Sequence, residues 1–166
     1  MFHVTVEQRR ERSEQVVRRF VAAMGQDLDT MFACLADDYV RYGVETGWLP
    51  MSRATYRHMA HNFQGPFPDC RWEPLQVVAE ERRVAVELVE SGTFTQPWTV
   101  GNATVEPNGV RYEMNGAVFF EIDDDDLISS YRYLHTGVFT QIYADVMTEE
   151  FYMAYANEFL VGASAG

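Results

Sequence analysis

An α+β fold, with helices packed on one side of a strongly curved antiparallel or mixed sheet so that the whole forms a cone, is predicted for this chain of 166 residues by three observations. Helical spacing dominates the first part of the chain and strand patterning takes over from Arg71. Helices first and strands after is an α+β order with the helices on one face of the sheet. The stretch 107–141, PNGVRYEMNGAVFFEIDDDDLISSYRYLHTGVFTQ, holds two β-rich runs, 110–122 and 127–139, around a four-aspartate turn, which reads as a long antiparallel hairpin. Strands this long exceed the usual length of about five or six residues. They curl, so the sheet wraps around a helix or a cavity.

Thr5 and Gln8 have capping-box spacing, and Val17, Phe20, Val21 and Met24 follow at helical intervals until Gly25 stops the run. This is a first amphipathic helix. After Gln26 and Asp27, the apolar residues Leu28, Met31, Phe32 and Leu35 repeat the helical pattern and predict a second, shorter helix ending near Asp37 and Asp38. Residues 39–44 alternate as a short strand. Ser52, after Pro50, is the N-cap of a third helix whose apolar face is Tyr56, Met59, Ala60 and Phe63 and which ends at Gly65-Pro66. Strands follow at 72–79, at 83–91 and, shorter, at 94–100, and Pro107-Asn108-Gly109 turns the chain into the hairpin. Met147, Phe151, Ala154 and Tyr155 predict a terminal helix that covers an edge, a cavity mouth or a dimer partner, with GASAG fraying after it. The whole chain, 1–166, is expected to be a single domain with 145–166 as a helical extension.

A chain of this length buries roughly two thirds of its unfolded surface in one core. It needs no staples, so Cys34 and Cys70, at no metal-binding spacing, are expected as reduced thiols in a cytoplasmic protein. No apolar run reaches transmembrane length, and the N-terminus MFHVTVEQRRERSEQ is too polar for a signal peptide. The net charge of −12 argues against nucleic acid or an anionic membrane as partner. Arg9, Arg10, Arg12, Arg18 and Arg19 read as a solvated helix face. Aromatic residues make up 14% of the chain, and rings that fill cores also line pockets for flat or greasy ligands.

Several phrases, taken in order and spacing behind a helix-rich first half, carry a resemblance. They are Phe67-Pro68-Asp69, Arg83-Val84-Ala85-Val86, Ser91-Gly92-Thr93, and Asp126-Leu127-Ile128 leading to Gln141. Together they resemble the SnoaL-like branch of the nuclear transport factor 2-like (NTF2-like) superfamily, over nearly the whole chain from the first helix to Gln141. The resemblance implies a cone-shaped α+β barrel of the NTF2-like, cystatin-like class with one central pocket, and a homodimer. Members include polyketide cyclases, ketosteroid isomerases, limonene epoxide hydrolases and pockets of no known chemistry, and the enzymes mostly use no metal or organic cofactor. Fold therefore locates the site better than it identifies the reaction. Where many SnoaL-like members carry Gly-Thr-His this chain has Gly92-Thr93-Phe94, and where acid–base members place an aspartate it has His135-Thr136.

Val84, Val86, Leu88 and Glu90 share one strand face. A carboxylate closing an apolar stripe is a candidate base or acid, whereas Glu87 points to solvent. His135 falls where the last strand delivers a side chain to the pocket, and histidine serves either proton-transfer role near neutrality. Tyr42, Tyr56, Tyr112, Tyr131 and Tyr133 offer phenolic donors, and Trp48, Trp72 and Trp98 offer flat faces; a donor aimed at a developing oxyanion contributes about 3 kcal/mol. Tyr42, whose strand in relatives opens onto the pocket, and Asn115, an amide at the start of the hairpin's apolar run, are the expected oxyanion donors. Glu90 and His135 are expected to move the proton. Tyr56, Phe63, Trp72, Leu88, Phe94, Trp98, Tyr112, Met114, Tyr131 and Tyr133 are the expected walls.

His58 and His61 lie off the apolar face of the third helix and read as rim residues, and no metal site is expected. Adjacent aspartates at 123–126 do not converge on one ion and read as a solvated turn. No phosphate loop, nucleophile elbow or Cys–His pairing is present in the sequence. The expected function is a cofactor-independent isomerase or cyclase acting on an apolar, oxygenated small molecule such as a polyketide or terpenoid. Its competitors are a non-catalytic ligand-binding protein and a limonene-type epoxide hydrolase, for which the chain shows no Arg-x-Asp pair at 84–90 and no aspartate beside Arg132.

Overall fold

The first helix, α1 (Val6–Ala23), starts from the reciprocal capping box of Thr5 and Gln8 and buries Val17, Phe20 and Val21. The structure, a computed structural model, describes residues 4–136 and 148–161. Gly25 follows α1 at φ +73°, and a Cβ there would lie 2.3 Å from the Cys70 carbonyl oxygen, so only glycine fits. Asp27 caps α2 (Leu28–Ala33). This helix is shorter than its apolar spacing predicts, because β1 (Leu35–Gly43) begins at Leu35 and not at residue 39. Leu35 pairs with Ile128, whose amide donates to the Cys34 carbonyl at 2.9 Å. Strand pairing there overrides local helical preference.

The two-residue β2 (Met51–Ser52) leads directly into α3 (Arg53–Gln64), with Ser52 as the expected N-cap. Four long strands follow: β3 (Arg71–Ala79), β4 (Arg83–Thr93), β7 (Arg111–Ile122) and β8 (Ile128–His135). Between β4 and β7 the stretch 94–100 yields only β5 (Trp98–Val100), which pairs with β6 (Ala103–Val105) as a separate ribbon. The main sheet runs β2-β1-β8-β7-β4-β3, parallel between β1 and β8 and antiparallel elsewhere. The expected continuation of β8 to residue 139, and Met147, lie outside the described residues. The last helix, α4 (Glu149–Tyr155), is capped by Thr148 and continues into a π-helical turn, Ala156–Val161.

Register shifts interrupt β1 between Leu35 and Val40, β3 between Pro74 and Gln76, and β7 between Glu121 and Ile122. Irregularities of this kind bend strands and increase twist. The sheet curls as predicted, without closing. Its inner face receives α1, whose Phe20 stands edge-on to Trp72, Phe120 and Tyr131 at 6.1, 5.7 and 5.9 Å. A second aromatic group, Phe63, Phe67, Phe94 and Trp98, joins α3 to the ribbon, and Phe151 of α4 packs on Trp98 at 5.0 Å.

At the hairpin turn Asp123 accepts the amides of Asp125 and Leu127, while Asp124 and Asp126 pair with Arg82 and Arg12. Cys34 and Cys70 are buried free thiols. Among the described residues no helix is long and apolar enough to cross a membrane.

Asp69 ties the segment after α3 to the sheet. It accepts the Thr93 amide and hydroxyl, each at 2.7 Å, and lies 3.3 Å from Arg111. Burial pushes its carboxyl up, but the Thr93 hydrogen bonds and the Arg111 charge outweigh it and hold the group below its ordinary value. A depressed folded value contributes stability that is present above the unfolded value and lost as pH falls through the folded one. Asp69→Asn is therefore expected to cost about 1 kcal/mol at pH 7, solvent screening limiting the effect. The difference from wild type in urea melts should narrow as the pH drops below about 4.

Candidate functional site

Between the curled sheet and α3 lies a cavity of about 90 Å3 whose walls are mainly rings and thioethers: Met24, Leu28, Tyr56, Met59, Ala60, Phe63, Trp72, Met114, Tyr131, Tyr133 and Tyr155. Gly25, Gln64, Cys70, Arg41, Glu90 and His135 complete the lining. Strand alternation delivers the acid. Val84, Val86, Leu88 and Glu90 are all buried on the inner face of β4, and Glu87 is exposed on the other.

A carboxylate in such surroundings must be hydrogen-bonded. The Trp72 indole N–H donates to Glu90 Oε2 at 2.7 Å, the Tyr133 hydroxyl donates to the same oxygen at 2.8 Å, and the Tyr112 hydroxyl donates to Oε1 at 3.0 Å. Register explains the convergence: Trp72 on β3 and Met114 on β7 are the two cross-strand partners of Glu90, and Tyr112 is one inward step from Met114. A carboxylate offers about four lone-pair positions. Among the described residues three are filled, leaving one on Oε1.

Arg41 brings the opposite charge. Only 5% exposed, it donates from Nε to the Tyr131 hydroxyl at 2.6 Å, and its guanidinium lies 5.0 and 5.5 Å from the Tyr56 and Tyr131 ring centres. Rings at this distance attract a desolvated cation. Burial, and then the nearby Tyr131, push the Tyr56 phenol well above its ordinary value, so it stays a neutral hydroxyl. The Cys70 thiol sits 3.5 Å from the Tyr112 hydroxyl. Burial first, and the Glu90 charge second, push this thiol far up. It is not an activated nucleophile.

The structure brings Glu90, His135, Tyr56, Phe63, Trp72, Met114, Tyr131 and Tyr133 to one cavity. His135 is half-buried, its ring 4.9 Å from that of Tyr133. Tyr112 stands behind Glu90 instead of at the cavity surface. Leu88, Phe94 and Trp98 are core residues that do not reach the cavity: Phe94 stacks on Phe67 at 5.2 Å and the Trp98 N–H donates to Asn62 at 2.6 Å.

The two expected oxyanion donors face the wrong way. The alternation of β1 turns Tyr39, Arg41 and Gly43 inward, which leaves Tyr42 on the outer face of the sheet with Trp48, Phe119 and Arg132. Val40, Tyr42 and Val44 form the more apolar set, so hydrophobicity alone selects the wrong face. Asn115 follows the inward Met114 and is exposed on the outside. Of the cavity residues, sequence reasoning missed Arg41, Gln64, Cys70 and Tyr155 and the smaller or flexible Met24, Gly25, Leu28, Met59 and Ala60. A charged residue in phase with Tyr39 was the available signal for Arg41. His58 and His61 are exposed on α3, with His58 Nε2 2.7 Å from Glu158 Oε1. Among the described residues no group of three His, Cys, Asp or Glu side chains is arranged to hold a metal ion.

A family model described as SnoaL-like domain matches residues 17–131. Among solved structures, a candidate SnoaL-like polyketide cyclase from Jannaschia sp. CCS1 superposes with a TM-score of 0.68 at 16% identity, over 87% of this chain and 98% of that one. AclR, a candidate hydroxylase from Streptomyces galilaeus, gives 0.66 at 19% identity over 80% and 96%. IdmH, a candidate polyketide cyclase from Streptomyces antibioticus, gives 0.63 at 21% identity over 76% and 93%. At these identities the likeness is one of fold. No curated protein matches the chain.

Tyr131→Phe keeps the ring but removes the acceptor of the buried Arg41 Nε–H. It is expected to lower stability by about 1–3 kcal/mol, seen as a lower urea midpoint at unchanged slope.

Proposed function

The chain belongs to the SnoaL-like domain family, and on that premise we propose that it is a cofactor-independent enzyme that isomerises or cyclises an apolar, oxygenated small molecule, a polyketide or terpenoid, by proton transfer. The observation that carries this reading is the buried Glu90 carboxylate at the wall of a hollow made otherwise mostly of rings and thioethers.

In this reading a carbon next to a substrate carbonyl lies against Glu90, and the remaining lone pair of Oε1 takes its proton. The C–H electrons move into the carbonyl to give an enolate. The Arg41 guanidinium and the neutral Tyr56 hydroxyl stabilise the oxygen, each such group contributing about 3 kcal/mol. Isomerisation ends when the proton returns at another carbon. Cyclisation ends when the enolate carbon bonds to a second carbonyl, whose oxygen takes a proton from His135 of the same lining. Apolar walls keep water from the intermediate. An epoxide hydrolase that brackets an arginine with two aspartates fits less well, since Glu90 is the one carboxylate in the described lining beside Arg41.

We further propose that the chain forms a homodimer through the outer face of the sheet. Trp48, Val78, Phe119 and Leu134 are exposed there beside Arg83, Arg132, Glu80 and Glu121. An apolar patch edged by both signs of charge is self-complementary about a twofold axis. Phe119→Glu is expected to halve the mass measured by sedimentation equilibrium, and a monomeric wild type would overturn this.

Native mass spectrometry of the purified protein, followed by incubation of the bound compound and a panel of polyketide and terpenoid ketones in D2O, tests the enzyme. Deuterium is expected at the carbon next to the carbonyl. Glu90→Gln and His135→Ala, with unchanged circular dichroism, should each slow its entry by about 100-fold. Binding without exchange or product leaves a ligand-binding protein without chemistry, and full rates in both variants overturn the proton-transfer roles given to Glu90 and His135.

A further inference from the structure

Two glycines on the long strands lie beside the tyrosines that hold Glu90. A Cβ built on Gly92 of β4 would stand 2.8 Å from Cε1 of Tyr112 and 3.2 Å from its hydroxyl oxygen. One built on Gly116 of β7 would stand 2.6 Å from Cε2 of Tyr133 and 3.0 Å from the Leu134 carbonyl oxygen. Carbon atoms attract best at about 3.5–4 Å and repel at these separations. Neither glycine has a positive φ, so backbone conformation gives no reason for glycine at either place. Glycine inside a strand weakens pairing and costs chain entropy. What its bare backbone supplies here is room for a ring.

The rings cannot move aside freely. Tyr112 and Tyr133 are only 3% and 2% exposed, with Tyr112 packed on Phe67 at 5.7 Å and Tyr133 on Trp72 at 5.0 Å. Each carries its hydroxyl to a different oxygen of Glu90. We propose that Gly92 and Gly116 are positioning residues of the acid–base site, two notches in the sheet that seat the Tyr112 and Tyr133 rings and thereby fix the orientation of the Glu90 carboxylate. Gly92 serves Oε1 through Tyr112 and Gly116 serves Oε2 through Tyr133. The Ser91-Gly92-Thr93 phrase also gains a physical reading: its threonine holds Asp69 while its glycine makes room for the ring across the strand pair. The catalytic consequence rests on the enzyme reading above, but the seating is measurable without substrate.

The experiment uses protein whose tyrosines are isotopically labelled at Cζ, a nucleus that reports hydrogen bonding of the hydroxyl, with each signal assigned by its loss in Tyr112→Phe or Tyr133→Phe. Gly116→Ala is expected to shift the Tyr133 signal and spare that of Tyr112, and Gly92→Ala the reverse. In the exchange assay each glycine variant should fall about tenfold, matching the loss of one hydrogen bond. Gly116→Ala combined with Tyr133→Phe should fall no further than Tyr133→Phe alone, since both act through one bond. Both signals unmoved in both glycine variants overturns the proposal, whether or not any compound turns over. Shifted signals with no exchange in wild type support the seating and overturn only the enzyme reading. Should Gly116→Ala fail to fold, Tyr133→Leu is added to empty the notch: recovery of the fold supports the proposal and continued failure overturns it.

Discussion

A negative charge held inside a nest of rings sets the terms for the rest of this molecule. Withdrawing a carboxylate from water costs several kcal/mol even after relaxation, and Glu90 offsets that cost with donors drawn from three other strands, Trp72 on β3, Tyr112 on β7 and Tyr133 on β8. Those donors meet only if the four strands hold a fixed register and the sheet curls enough to turn their side chains toward one point. The pairing of β4 with β7 runs unshifted from Arg83 to Thr93. Shifts fall instead in β1, in β3 and at the end of β7, where they bend the sheet around that regular centre.

The abundance of aromatic residues follows from the same arrangement. One group of rings gathers under α1 and another under α3, and the hollow lies where they meet, taking Trp72 and Tyr131 from the first and Phe63 from the second. Rings have few rotatable bonds, so a wall made of them keeps its shape at small entropic cost. Arg41 fits this setting because a guanidinium is less strongly hydrated than an ammonium and rests against ring faces.

Much of this frame was legible in the chain because it depends on local rules. Thr5 with Gln8 and Ser52 announced themselves by short-range chemistry, and period-two counting along β4 placed Glu90 inward. The Pro107-Asn108-Gly109 reversal did not form, since Gly109 and Val110 pair with Phe94 and the chain turns at Gly101-Asn102. The misreadings lie where partners distant in sequence decide. Leu35 continues a helical pattern, yet Ile128 claims it for the sheet. In β1 both alternating sets are apolar enough to be buried, and only the neighbours on either side choose Arg41 over Tyr42. Asn115 is a different error: counting by two from Tyr112 and Met114 already put it outside. The notches at Gly92 and Gly116 had no sequence signal, since a glycine in a strand is also the mark of a bulge.

The family match ends at Tyr131, whereas Tyr133, His135 and Tyr155 all contribute to the cavity lining from beyond it. Part of the cavity lining thus lies beyond the residues that the family model matches. Because Tyr133 both walls the chamber and donates to Glu90, a change at the end of β8 reshapes the hollow and loosens its carboxylate in one step.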